Sequence, residues 1–80
     1  MRIRLVTSGR VLQGTPVQVV QSLRALAGPR AGASTSDYTD DVVAALARDG
    51  VRLDVTGATD AERAASLVSQ LLRTGQAERL

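Results

Sequence analysis

A chain of 80 residues whose one aromatic side chain is Tyr38 has little from which to build a core. Phe and Trp are absent, and the apolar residues are mainly Ala, Val and Leu, each of which buries little area. A chain this short hides only about 60% of its unfolded surface on folding. One domain spanning 1–80 is therefore expected, either marginally stable or completed by apolar area buried against a second copy.

Residues 2–7 alternate, with Ile3 and Leu5 on one side and Arg2 and Arg4 on the other; Val6 interrupts the polar side. This is the period of a half-buried strand. Ser8-Gly9 suits a tight turn, and Val11-Leu12 begins a return strand that Gly14 ends, which predicts a hairpin of strands 2–7 and 10–13. Thr15-Pro16-Val17-Gln18 is a capping box with proline at the first helical position, and the helix it opens stops at Gly28-Pro29. Residues 28–36 (GPRAGASTS) read as a flexible linker between the first two helices. Ser34 or Ser36 caps a second helix, which ends at Gly50. Val51, Leu53 and Val55 alternate with Arg52 and Asp54, so 51–55 is expected to be a third strand. Thr59-Asp60-Ala61-Glu62 opens a third helix that runs to about Arg73, before Gly75. The tail 76–80 either frays or adds a short edge segment. The expected fold is α+β: an N-terminal β-hairpin, a third strand and three helices in the order ββααβα, with the helices on one face of the sheet.

The chain has no Cys and no His, which excludes disulfides, Cys/His zinc sites and imidazole catalysis. It has no Lys either, so its serines lack any of the usual activating bases. The glycines match no phosphate-binding loop. Asp37, Asp40 and Asp41 are the densest acids, and their place in a first helical turn explains them through the helix dipole. No catalytic residue, cofactor or metal is expected. The start MRIRLVTSGR has no secretory signal pattern and no stretch is long enough to span a bilayer, so a cytoplasmic protein without a membrane partner is expected.

Charge carries the remaining information. Residues 1–30 hold five Arg and no acid, whereas 31–80 hold five Arg and eight acids. An acid-free cationic surface is a statement about partners. The expected function is a small protein-interaction, assembly or regulatory module without catalytic activity, which self-associates or meets a protein with an acidic surface. Its candidate interaction surface is Arg2, Arg4, Arg10, Arg24 and Tyr38. The alternative is nucleic-acid binding by Arg on the N-terminal hairpin, against which stands the lack of any aromatic stacking residue on the strands.

Overall fold

The computed structural model describes residues 1–27 and 34–80. Three antiparallel strands and three helices form a mixed α+β domain. In chain order they are β1 (Arg2–Leu5), β2 (Val11–Gln13), α1 (Pro16–Ala27), α2 (Thr35–Arg48), α3 (Asp60–Arg73) and β3 (Ala77–Arg79). The sheet order is β2-β1-β3, with β1 in the centre. Among the described residues no helix is long and apolar enough to cross a membrane.

The hairpin forms where the alternation places it. Ile3 lies opposite Leu12, and Arg4 opposite Val11. The turn closes with the Leu5 N–H donating to the Arg10 carbonyl at 2.8 Å, and Gly9 takes the positive φ of 74° that the turn needs. Each helix start is a side-chain cap. At α1 the Thr15 N–H donates to Gln18 Oε1 (2.8 Å) and the Gln18 N–H to Thr15 Oγ1 (3.2 Å), a reciprocal capping box. Ser34 rather than Ser36 caps α2, accepting from the Asp37 N–H at 3.1 Å. Of the expected linker, Ser34 is thus a cap and Thr35 and Ser36 lie in α2, while 28–33 fall outside the described residues. Thr59 caps α3 through the Glu62 N–H (3.1 Å), and Glu62 reaches past it to accept from the Ala58 N–H at 2.7 Å.

The third strand is not where the alternation put it. Residues 51–55 join no strand ladder, and Ala77–Arg79 fills the free edge of β1, pairing Arg4 with Glu78 and Leu5 with Ala77. Segment 51–57 lies instead along α3. The Asp54 N–H donates to Gln70 Oε1 (3.3 Å) and the Thr56 N–H to Ser66 Oγ (3.0 Å). The repeat distances match: four helical residues rise about 6 Å, and two extended residues span about 6.6 Å. Val51, Leu53 and Val55 still turn inward while Arg52 and Asp54 stay exposed, because any extended segment against a core shows that period.

The core lies between the sheet and the helices. Ile3, Val19, Val20, Leu67 and Val68 are essentially inaccessible to solvent. The one buried polar residue of the described chain, Thr39, donates its hydroxyl to the Thr35 carbonyl at 2.9 Å, so its burial leaves no donor unsatisfied. α3 buries four residues and α2 only Thr39, so α2 is the helix held by the least burial.

Gly57 enters α3 at φ 140°, where an added Cβ would stand 2.9 Å from the Arg63 backbone nitrogen. Gly50 also has a positive φ, of 83°, but opens onto free space. Gly57→Ala is expected to cost about 2–3 kcal/mol in urea denaturation, and Gly50→Ala only about 1 kcal/mol. Equal costs would show that the close approach at Gly57 is not rigid.

Candidate interaction surface

α1 and α3 pack on one face of the sheet and α2 packs on those two helices, which leaves the other face uncovered. Residues directly opposite in an antiparallel ladder share a face. The register therefore puts Arg2, Arg4, Val11, Gln13 and Glu78 together on the open face, with Ile3, Leu5, Leu12 and Ala77 on the core face. The β1–β3 ladder continues beyond the strands: the Val6 N–H donates to the Gln76 carbonyl (3.1 Å) and the Leu80 N–H to the Arg2 carbonyl (2.9 Å). Alternation carries Val6 and Leu80 to the open face as well. Val6, Val11 and Leu80 are 48%, 46% and 56% exposed, and they are three of the five large apolar side chains left exposed among the described residues.

The candidate residues read from the sequence separate into three places. Arg2 and Arg4 share the open face. Arg4 is committed there to Glu78 by a 2.5 Å ion pair, both side chains half-exposed. Arg10 is exposed at the start of β2, on the sheet's edge. Arg24 is half-buried in α1 and already engaged in the fold. Tyr38 belongs to the helical layer, where it lines a mainly apolar cleft of about 230 Å³ with Leu5, Leu23, Val42, Leu46 and Leu71. The five therefore do not form one patch.

The sequence reading missed Val11 and Leu80 as surface residues, and Glu78 as the partner of Arg4. Val6 gave the only advance signal, as the apolar residue that interrupts the polar side of β1. Of the three acids of α2, Asp37 and Asp40 have local explanations, and Asp40 and Asp41 lie beyond the first turn in which the sequence placed them. Asp37 sits in the first turn, and Asp40 bonds the Arg63 guanidinium of α3, which also bonds Ser36. Among the described residues no three His, Cys, Asp or Glu side chains cluster to hold a metal ion.

A second edge feature lies beside the open face. Between β2 and α1 runs a groove of about 340 Å³, lined by Arg10, Val11, Leu12, Ser22, Ala25 and Leu26. Leu26 is 47% exposed there.

Burial raises the Tyr38 phenol above its ordinary pKa of 10.0, because the phenolate loses water on entering the cleft. The raised folded value means the folded state prefers the neutral phenol. That contribution is complete below pH 10.0 and is lost as pH rises through the folded pKa. Tyr38 is the only tyrosine, so absorbance near ~295 nm reports it alone. Its titration midpoint is expected to lie above 10.0 in the folded chain and to fall to about that value in denaturant. An unshifted midpoint would show the phenol to be solvated.

No family model, curated protein or solved structure matches the chain.

Proposed function

We propose that this chain is a non-catalytic protein-interaction and assembly module that docks through the open face of its sheet and associates with a second copy of itself there. The observation supporting this reading is the one-sided layering. Val6, Val11 and Leu80 stay in water on a face whose centre is the Arg4–Glu78 pair, with Arg2 beside Leu80, while helices take the other face. Apolar residues gathered on one face mark interaction surfaces more often than residues scattered singly do. The scant core supports the same reading, since a partner against this face supplies apolar burial that the 80 residues lack. The Arg4–Glu78 pair gives the face both signs of charge. Such a face can orient a copy of itself more than it adds affinity.

Sedimentation velocity from about 10 µM to about 500 µM checks this reading. The expected result is a species heavier than the monomer that grows with concentration. Val6→Lys combined with Leu80→Lys should return it to the monomer with helical circular dichroism unchanged, because both residues are exposed and each added charge must be desolvated in the interface. A monomer at every concentration would refute self-association. Binding of generic duplex DNA at about 50 mM salt, lost steeply at higher salt, would favour the nucleic-acid alternative.

A further inference from the structure

We propose that β2 accepts an acidic, extended peptide segment as an added edge strand, with alternate side chains of that segment entering the groove between β2 and α1. This deepens the interaction-module reading and rests on it, adding a second docking site with a stated partner chemistry.

The first support is the hydrogen-bonding state of β2. The Gly14 N–H donates to the Met1 carbonyl and the Leu5 N–H to the Arg10 carbonyl. Between those bonds, alternation assigns Leu12 to the β1 side of the ladder, and Val11 and Gln13 to the outer side. β2 is an edge strand, so the N–H and C=O groups of Val11 and Gln13 point away from the sheet. They form a two-residue template for another backbone.

The second support is the groove. An added strand would alternate like its neighbours. Side chains on its core side would lie beside Leu12 and over Ala25 and Leu26, in the groove of about 340 Å³. That volume suits medium-sized apolar side chains such as valine. Side chains on its other side would lie beside Val11 and Gln13, toward Arg2.

The third support is charge. β1, β2 and α1 together span residues 2–27, and that stretch contains no Asp or Glu. Among the described residues, Arg10 is the only charged one lining the groove. The sheet's one acid, Glu78, lies on the far strand β3 and is held by Arg4. The β2 edge therefore presents a positive field with no local acid to offset it, which favours an acidic strand and disfavours a basic one. The matching sequence alternates acidic and apolar residues.

The test is a titration of the full chain, labelled with ¹⁵N, with a capped heptapeptide of alternating glutamate and valine. A peptide with lysine in place of glutamate serves as the control. Amide shifts are expected at Arg10–Gln13 and Ser22–Leu26, with a dissociation constant at or below about 1 mM. Val11→Pro removes one outward N–H at an edge where proline is tolerated, and should weaken binding about tenfold. Arg10→Glu should weaken it similarly. If Val11→Pro loses its dispersed spectrum, Arg10→Glu and Leu26→Glu carry the test, since both sites are exposed. No shift at about 5 mM peptide would overturn the proposal. So would equal binding of the lysine peptide, or shifts confined to another surface. In the chain carrying Val6→Lys and Leu80→Lys, which removes association through the open face, shifts at the β2 amides that depend on chain concentration without peptide would make a second copy the occupant of the edge, and would overturn it too. Sedimentation of the same samples reports on the open face separately, so a failure at the edge is distinguishable from a failure of the interaction-module reading.

Discussion

The pairing of β1 with β3 is the contact on which the rest of the structure depends. It joins residues about 74 positions apart, Arg4 and Glu78, and so closes nearly the whole chain into one loop. Closure of that length has an entropic cost that grows only slowly with loop length, and it is offset by what the pairing buries. Ile3 sits at the centre of the sheet, fully enclosed, between Leu12 on one side and the Arg79 backbone on the other. Ala77 enters the core directly after α3 ends, which draws the most buried helix of the domain down onto the sheet. The exposed Arg4–Glu78 ion pair is secondary. Such pairs contribute roughly 0–1 kcal/mol, well below the burial of Ile3.

Once β3 occupies that edge, the remaining geometry follows. β1 has a partner on both sides, so 51–55 has no place beside it, and the segment 51–57 donates its Asp54 and Thr56 N–H groups to Gln70 and Ser66 of α3. The helices connect β2 to β3 and all pack on one side, so the other side stays in water. β2 remains the edge next to α1. Both proposed docking surfaces are thus consequences of one topological choice: the open face arises from one-sided layering, and the groove from an edge strand beside a helix that lacks acids.

The elements carried by local chemistry were legible in the sequence. The Thr15–Gln18 and Thr59–Glu62 boxes marked two helix starts, because a cap depends on residues three apart. The alternation of Arg2, Ile3, Arg4 and Leu5 correctly separated the two faces of β1. What was not legible depends on distant pairing. Residues 51–55 and 77–79 are both short segments that can add to β1, and the stronger alternation lies in the segment that does not. An inward-outward period reports a segment resting on a core, and it does not report what its backbone bonds to. The same limit hid the candidate surface. Arg2 and Arg4 were placed on one face, but that Glu78 engages Arg4, or that Leu80 stands beside Arg2, follows only from the register of β3. Tyr38 and Arg24 share the N-terminal and central sequence with the other candidates, yet the helices carry them to the opposite layer.

The central claim is that β1 is closed on both sides while β2 stays open at its outer edge. Amide hydrogen exchange measured residue by residue across the sheet tests it most directly. Ile3, Arg4 and Leu12, whose N–H groups face paired strands, should exchange slowly, whereas Val11 and Gln13 should exchange quickly because theirs face water. Protection of Val11 and Gln13 equal to that of Leu12, or rapid exchange at Arg4 on the β3 side, would contradict the account.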